Sequence, residues 1–306
     1  MASSAAYRKL LEGTPVDYYD TLPGSEDSLI ERIAGAEIVI NIRSSTRFGE
    51  SVFKRTPNLR LLSLWGTGTD NVDLASAARH GVTVTNTPGV SAFSIAEHAL
   101  ALMLAVARRI PHVDREVRQG GWPRGQAAQM HGKTLGVIGL GAVGRQFARL
   151  GAGIGMRVIA WTMHPDPALG FELVELDELF RSSDVVSLHL RLSDETRGFL
   201  GKSEFEKMKP SAILINTARG PIVDEQAMLD ALTAGRIAGA GLDVFDVEPL
   251  PGGHALTHLG NVVLTPHSAG VTPEALEAGL QLSIDNVWNF LGGHPTNVVA
   301  GAGAAR

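Results

Sequence analysis

The sequence contains no cysteine at all. This absence excludes disulfide bonds, a catalytic thiolate and any zinc site built from cysteine, and it fits the reducing cytoplasm, which is the location we expect. Charged residues make up only 19% of the 306 residues, and the formal net charge is −5 with no stripe of lysine and arginine. We therefore expect no nucleic-acid partner, because nucleic-acid binding depends on a basic surface.

Long apolar runs are also missing. The longest, residues 99–107, is far shorter than the roughly 20 residues that a bilayer-spanning helix needs. Residues 1–10 lack a basic segment followed by an apolar core, so we expect neither a signal peptide nor a membrane partner. With 306 residues and 44% hydrophobic residues, the chain is long enough for two globular domains, each with its own core.

The most informative segment is a glycine-rich turn. Gly139, Gly141 and Gly144 form a G-x-G-x-x-G pattern between a strand-like segment at 134–138 and a helix expected from Gly144 onward. Such a turn lets backbone N–H groups and a helix N-terminus contact a pyrophosphate. The glycines alone fit an ordinary tight turn equally well, but their place between a strand and a helix favours dinucleotide binding.

Apolar runs along the chain predict two groups of strands. The first group lies at 37–41, 60–65 and 82–85, and the polar loop at 43–46 follows its first member. The second group has six members, at 135–139, 157–161, 184–190, 212–216, 239–244 and 262–264. Strands that alternate with helical segments predict parallel, doubly wound sheets, and six strands match a full dinucleotide-binding fold.

Two long helices complete the expected architecture. Residues 94–117 have helical spacing, but Pro111 predicts a kink or break near Ile110, and this segment is expected to connect the two domains. Residues 272–291 form the second helix, and the tail after Pro295 is expected to pack back on the first domain.

Three chemically active side chains follow strands of the second group. Arg219, Glu248 and His267 lie in loops at the carboxyl ends of strands, where open parallel sheets bind ligands. An arginine can bind a carboxylate, a histidine can exchange a proton near neutral pH, and a nearby glutamate favours and orients the protonated imidazole. Taken alone, Arg219 could be a surface charge, Glu248 a turn residue and His267 a histidine bonded to a backbone carbonyl. Together the three residues favour hydride transfer to a 2-oxo acid.

These motifs in this order resemble the D-isomer-specific 2-hydroxyacid dehydrogenases, from about residue 41 to residue 299. The resemblance implies an α/β fold of two domains, with a Rossmann-type doubly wound parallel sheet inserted into a smaller flavodoxin-like α/β substrate domain. The substrate domain would comprise residues 1–98 and 290–306, and the dinucleotide-binding domain residues 99–289. The motifs that carry the resemblance are residues 66–73, 86–89, 95–98, 139–144, 216–220, 241–250 and 265–270.

The resemblance also implies roles for individual residues. Arg219 matches the family's substrate-binding arginine, His267 its acid/base, and Glu248 the carboxylate paired with that histidine. Gly66, Thr67 and Gly68 match the loop that receives the substrate carboxylate, while Asp243 matches the residue that meets the nicotinamide carboxamide. The implied cofactor-binding set is Thr67, Gly139, Gly141, Ala142, Val143, Gly144, Thr162, Leu190, Thr217, Ala218, Asp243 and Gly270.

The implied protein is an enzyme that uses NAD(H) or NADP(H), binds no metal, and forms a homodimer. Its substrate would be a small D-2-hydroxy or 2-oxo acid of the glyoxylate, hydroxypyruvate or 3-phosphoglycerate type. A dinucleotide-sensing binding protein of the same fold is the alternative, although such a sensor needs no acid/base pair. A short-chain dehydrogenase is excluded, because none of Tyr7, Tyr18 and Tyr19 has a lysine four residues later.

The sequence departs from the family pattern after the second strand of the dinucleotide-binding domain. Thr162 stands where an acidic residue usually binds the ribose 2′-hydroxyl. This change permits NADP(H), with His164 as the nearest cation, but it is equally compatible with weaker binding of NAD(H). Arg191 could reach the adenosine end of the cofactor or point to solvent. Substrate choice is expected to depend on loops near Ser44, Trp65 and 89–93, where Trp65 is equally a candidate for the core.

Overall fold

The computed structural model describes residues 4–11, 15–42 and 46–301, so Ser44 and most of the polar loop at 43–46 lie outside the described residues. Contacts divide the chain into two compact units. The first contains Met1–Ser91 and Thr272–Arg306, and the second contains Ala92–Val271. The second unit is therefore an insertion in the first, as the resemblance implies.

The first unit is a small α/β domain around a four-stranded sheet. The strand order is β1-β2-β3-β11; β1, β2 and β3 are parallel, and β11 is antiparallel to β3. Strand β11 is the tail that was expected to pack back on this unit. The elements are α1 (Ala5–Leu11), α2 (Glu26–Ile33), β1 (Ile38–Asn41), α3 (Glu50–Arg55), β2 (Leu61–Leu64), α4 (Leu74–Arg79), β3 (Thr83–Thr85), α11 (Pro273–Leu291) and β11 (Val298–Ala300).

The second unit is a doubly wound parallel sheet of seven strands. The strand order is β10-β9-β8-β7-β4-β5-β6, so the chain reverses direction across the sheet between β4 and β7. The elements are α5 (Ala92–Ala107), α6 (Ile110–Arg118), β4 (Thr134–Ile138), α7 (Ala142–Gly153), β5 (Arg157–Trp161), β6 (Glu172–Leu173), α8 (Leu176–Ser182), β7 (Val185–Leu188), α9 (Lys202–Lys207), β8 (Ile213–Asn216), α10 (Glu225–Thr233), β9 (Gly239–Leu242) and β10 (Val262–Leu264).

This sheet confirms the expected Rossmann-type fold, in which ligands bind at the carboxyl edge near the reversal of strand order. The sheet has one strand more than the six expected, because the two-residue β6 is too short to leave an alternating pattern. Helix α7 begins at Ala142 instead of Gly144, with Gly141 as its N-cap. None of the helices in the described part of the chain is long and apolar enough to cross a membrane.

The units divide at other positions than the expected 98/99 and 289/290. Helix α5 packs on α7 and on strands β8, β9 and β10, so it belongs wholly to the second unit and does not connect the two. Helix α11 packs on α1, β1 and β2, so it belongs to the first unit. The expected helix break is present, because α5 ends at Ala107 and Arg109 has a left-handed backbone (φ 55°) before Pro111 enters the first turn of α6.

Candidate active site

The carboxyl edge of the seven-stranded sheet collects most of the residues singled out in the sequence. Because all seven strands are parallel, the segments that follow them emerge at one edge. The residues that follow these strands are Gly139 after β4, Thr162 after β5, Leu190 after β7, Thr217, Ala218 and Arg219 after β8, Asp243 and Glu248 after β9, and His267 and Gly270 after β10.

The three glycines of the turn after β4 serve different purposes. Gly139 has a positive φ of 97°, and a Cβ there would lie 2.7 Å from the carbonyl oxygen of His189. A Cβ at Gly144 would lie within 1.9 Å of the carbonyl oxygen of Gly139. Protein packing therefore requires glycine at both positions. A Cβ at Gly141, in contrast, would meet no described atom within 4 Å, so packing does not explain that glycine.

The open space at Gly141 fits a dinucleotide. Gly141 and Ala142 are exposed at the N-terminus of α7, where the first N–H groups of a helix have no intrahelical acceptor. A pyrophosphate can approach this backbone only in the absence of a side chain. Thr217 adds a second indication, because its hydroxyl oxygen is buried without a hydrogen-bond partner among the described residues. Both features suit a bound polar ligand along this edge.

His267 and Glu248 form the acid/base pair expected from the sequence. The Nδ1 atom of His267 donates to Glu248 Oε2 at 2.7 Å, and Glu248 Oε1 accepts the Phe245 N–H at 3.0 Å. Burial by itself raises the pKa of Glu248, but these two hydrogen bonds and the charges of His267 and Arg219 outweigh it and leave that pKa below its usual range. The carboxylate is therefore ionised at neutral pH and fixes the orientation of the imidazole.

Arg219 lies beside this pair. Its charge helps to lower the pKa of Glu248, and its Nη1 donates to the carbonyl oxygen of Ala218 at 2.8 Å. Arg219 can lie near Glu248 because the next residue, Gly220, is in backbone contact with the loop after β9. A Cβ at Gly220 would fall 2.0 Å from the carbonyl carbon of Phe245. The three catalytic residues expected from the sequence are thus brought together.

Asp243 is held in a network of hydrogen bonds within the second unit. Its carboxylate is 1% exposed, and both of its oxygens accept hydrogen bonds from the loop that carries His267. The donors are the Thr265 hydroxyl at 2.6 Å and the N–H groups of Ser268 and Ala269, both at 2.9 Å. Asp243 therefore holds the His267 loop in place, while its contact with a nicotinamide carboxamide stays a prediction.

His189 lies at the same edge of the sheet and belongs to none of the motifs described above. It follows β7, its Nε2 lies 2.9 Å from Ser187 Oγ, and its ring packs against Phe147 with centroids 5.3 Å apart. Burial lowers the pKa of His189 to about 3, so the imidazole is uncharged at neutral pH. His189 therefore supports the glycine turn by packing and adds no charge there. Its position directly before Leu190 is the only sequence signal that places it at this edge.

The expected carboxylate-binding loop lies in the first unit, after β2. Gly66 has a φ of 115°, which favours glycine, and its N–H donates to the Thr87 hydroxyl at 2.6 Å. Asn86 donates from its side-chain amide to the carbonyl oxygen of Thr67 at 2.9 Å. The 86–89 motif therefore fixes the conformation of residues 66–68. Thr67 is exposed at the tip of this loop.

The remaining residues are placed as follows. Trp65 packs against Gly279 of α11, because a Cβ at Gly279 would fall 2.0 Å from the indole nitrogen of Trp65. This packing favours a role in the core over a place at the substrate. Arg191 is exposed, which favours the solvent-facing alternative. Thr162 is half-buried and His164 exposed at the end of β5. The described residues contain no group of three histidine, aspartate or glutamate side chains that could hold a metal ion.

A glycine turn at the switch point of a parallel sheet, with a histidine–carboxylate pair and an arginine at the same edge, defines a dinucleotide-dependent oxidoreductase. Residues 100–269 match the model of the D-isomer specific 2-hydroxyacid dehydrogenase NAD binding domain. The chain belongs to the family of D-isomer-specific 2-hydroxyacid dehydrogenases, and its cofactor is NAD(H) or NADP(H).

Individual relatives agree with this assignment. A glyoxylate reductase from Korarchaeum cryptofilum is 38% identical over 291 residues, covering 92% of this chain and 87% of the relative. A D-3-phosphoglycerate dehydrogenase from Archaeoglobus fulgidus is 42% identical over 270 residues, but the match spans about half of that longer protein (51%). The solved structure of D-lactate dehydrogenase from Escherichia coli is 31% identical with a TM-score of 0.85, covering 96% of each chain. An acyclic imino acid reductase solved with NADPH and D-Arg is 32% identical with a TM-score of 0.87, covering 96% of this chain and 95% of that chain.

Proposed function

We propose that this protein is a cytoplasmic enzyme that reduces a short 2-oxo acid, of the glyoxylate or hydroxypyruvate type, to the D-2-hydroxy acid. The observation that carries the proposal is the 2.7 Å hydrogen bond between His267 and Glu248, with Arg219 beside it at the carboxyl edge of the sheet. Named relatives with glyoxylate reductase and hydroxypyruvate reductase activities support this substrate class.

Each of the three side chains has a defined part in the reaction. When bound, NADH or NADPH would supply the hydride for reduction of the C2 carbonyl of the substrate. Because Nδ1 of His267 is held by Glu248, Nε2 on the opposite side of the ring is the atom that gives its proton to the carbonyl oxygen. Arg219 binds the substrate carboxylate and stabilises the negative charge that develops on the carbonyl oxygen. Glu248 stays ionised and stabilises the imidazolium before proton transfer.

One panel of assays tests this proposal. Glyoxylate, hydroxypyruvate, pyruvate and longer 2-oxo acids are compared with NADH and with NADPH, and D-3-phosphoglycerate is tested in the oxidative direction. We expect the highest kcat/KM for a two- or three-carbon 2-oxo acid. A preference for D-3-phosphoglycerate, the substrate named for the Archaeoglobus relative, would overturn the substrate class. No turnover of any 2-oxo acid would favour the dinucleotide-sensing alternative.

Replacing Thr162 by aspartate is expected to shift coenzyme preference toward NADH. An aspartate at the end of β5 introduces a negative charge where NADPH carries its 2′-phosphate, whereas it can accept a hydrogen bond from the ribose of NADH. We expect the kcat/KM ratio of NADPH to NADH to fall by about tenfold or more, which corresponds to about 1.4 kcal/mol. The control is Thr162→Asn, because asparagine has the shape of aspartate without its charge. An unchanged ratio in Thr162→Asp would contradict this assignment.

We also infer that the protein is a homodimer formed through the second unit. Helix α6, all of whose residues are described, has no buried side chain, yet Ile110 and Val117 are apolar and 54% and 44% exposed. Trp122, just beyond the helix, is 74% exposed. Large exposed apolar side chains of this kind often mark an interaction surface, and a second copy of the chain would bury them.

The dimer is tested by sedimentation. We expect the wild-type protein to sediment as a dimer at micromolar concentration and the double variant Ile110→Glu, Trp122→Glu as a monomer, because two buried charges oppose association. Trp288→Glu, at a tryptophan of α11 that is 50% exposed, is the control and should stay dimeric. A monomeric wild-type protein, or a dimer that persists in the double variant, would refute this surface.

A further inference from the structure

A hydrogen-bonded chain connects helix α5 to the loop of His267. The Nε2 atom of His98, on α5, lies 2.9 Å from the hydroxyl oxygen of Thr265, and that hydroxyl donates to Asp243 at 2.6 Å. Nε2 of His98 is also 3.6 Å from the same Asp243 oxygen. All three residues belong to the second unit.

The directions of these bonds can be assigned. The Thr265 hydroxyl has one hydrogen and gives it to the Asp243 carboxylate, which can only accept. Its oxygen must therefore accept from His98, so Nε2 of His98 carries a hydrogen. The chain thus runs from the His98 N–H to the Thr265 hydroxyl and ends at a carboxylate that is 1% exposed. Such a buried carboxylate depends on its donors, because an unsatisfied buried charge is costly.

Asp243 also accepts hydrogen bonds from the segment around His267. Its carboxylate accepts the N–H groups of Ser268 and Ala269, and its backbone carbonyl oxygen accepts the N–H of His267 at 2.8 Å. His267 needs this support, since its φ of 51° lies in the left-handed region that costs a non-glycine residue about 1–2 kcal/mol. The position of the imidazole therefore depends on Asp243, and Asp243 in turn on Thr265 and His98.

We propose that His98 is a positioning residue for the reaction, acting through the Thr265 hydroxyl and Asp243 on the loop that holds His267. This inference rests on the proposed function, in which His267 transfers the proton. Helix α5 supplies a rigid base for the hydrogen-bonded chain, because the helix packs on α7 and on strands β8, β9 and β10. Loss of the His98 donor leaves the Thr265 oxygen without this partner, so the hydroxyl that donates to Asp243 is no longer held in place and the loop shifts or becomes mobile.

The variants His98→Leu and Thr265→Val each remove one member of the hydrogen-bonded chain and so test it at two points. Each is expected to lower kcat per active site by about 10- to 100-fold, because a displacement of about 1 Å at a reacting group has an effect of this size. The dissociation constant of the dinucleotide should change less than threefold. Thr265→Ser, which restores the hydroxyl, should recover kcat to within about threefold of wild type. His254→Leu is the control, since it removes another half-buried histidine–carboxylate contact, 3.1 Å from Glu225, that is not part of the hydrogen-bonded chain; it should leave kcat within twofold of wild type.

A double-mutant cycle separates positioning from a general loss of structure. If His98 acts through His267, His98→Leu should have less than a twofold effect on kcat in a His267→Asn background. The same loss in both backgrounds, or a His98→Leu enzyme with kcat within twofold of wild type, would overturn the proposal.

Amide hydrogen exchange tests the structural part without any turnover. We expect His98→Leu to speed exchange at Ser268 and Ala269, whose N–H groups are bonded to Asp243, while β4 and α7 keep wild-type rates. Faster exchange in a protein that reduces no 2-oxo acid would mean that the proposed function fails and the coupling stands. Unchanged exchange with normal wild-type turnover would mean that the coupling fails and the proposed function stands.

Discussion

His267→Asn is expected to lower kcat for 2-oxo acid reduction by about 10³-fold, within the range that a positioned general acid contributes. Asparagine is the informative replacement, because it tolerates the left-handed backbone that His267 adopts at φ 51°. The variant therefore removes the proton donor and leaves the loop conformation accessible. The imidazole of His267 is hydrogen-bonded to Glu248 at 2.7 Å, so its replacement removes the proton donor of this pair.

The measurement is steady-state kcat together with the dissociation constant of NADH or NADPH from protein fluorescence. We expect the dissociation constant to stay within about threefold of wild type, since the glycine turn after β4 is separate from the loop after β10. Glu248→Gln should cause a smaller loss of kcat, because the amide keeps a hydrogen bond to the imidazole but not the charge. Turnover near the wild-type rate in His267→Asn would remove His267 from the reaction.

Arg219→Gln is expected to lower kcat/KM for the 2-oxo acid by about 10³-fold, as the loss of a charged donor to a developing oxyanion does. We expect both a higher KM and a lower kcat, because the guanidinium binds the substrate carboxylate and also stabilises the transition state. Arg219→Lys should recover only part of the activity, since an ammonium group keeps the charge but cannot form the planar double hydrogen bond.

The control for this prediction is Arg149→Gln, at an exposed arginine of α7 with a 3.4 Å hydrogen bond to Gln146. It changes the net charge by the same amount away from the site and should leave kcat/KM within twofold of wild type. Glu248 provides an independent measurement, because the charge of Arg219 helps to keep its pKa low. In Arg219→Gln the pKa of Glu248 should rise, and NMR titration of the carboxyl carbon would detect the change. An unchanged kcat/KM in Arg219→Gln would contradict the role of this residue.

The fold and the core of the site follow from the sequence for a simple reason. Short apolar runs separated by helical segments predict parallel strands, and parallel strands place all their carboxyl ends at one edge. Arg219, Glu248 and His267 could therefore be grouped from their positions after three strands, before any distance was known. The glycine turn could also be found from the sequence, because its G-x-G-x-x-G spacing directly follows the strand-like segment that forms β4.

The domain boundaries could not be found in this way. The sequence predicts that residues 272–291 form a helix, and α11 is that helix, but helical periodicity is the same whichever sheet the helix packs on. Its packing on β1 and β2, more than 200 residues earlier in the chain, assigns it to the first unit. The two-residue β6 likewise exists because β5 pairs with it and not because of its own sequence pattern.

By itself, the sequence determined the class of fold, the dinucleotide turn and the grouping of Arg219, Glu248 and His267 at one edge of the sheet, because each depends on patterns local to a strand and the loop after it. Only the tertiary structure decided which partners the buried polar groups take. The oxygens of Asp243 bind Thr265, Ser268 and Ala269, and His98 joins them from a helix 145 residues earlier than Asp243. A buried carboxylate must gather its hydrogen-bond donors from whatever segments the fold brings within about 3 Å, and no local pattern in the sequence records which segments those are.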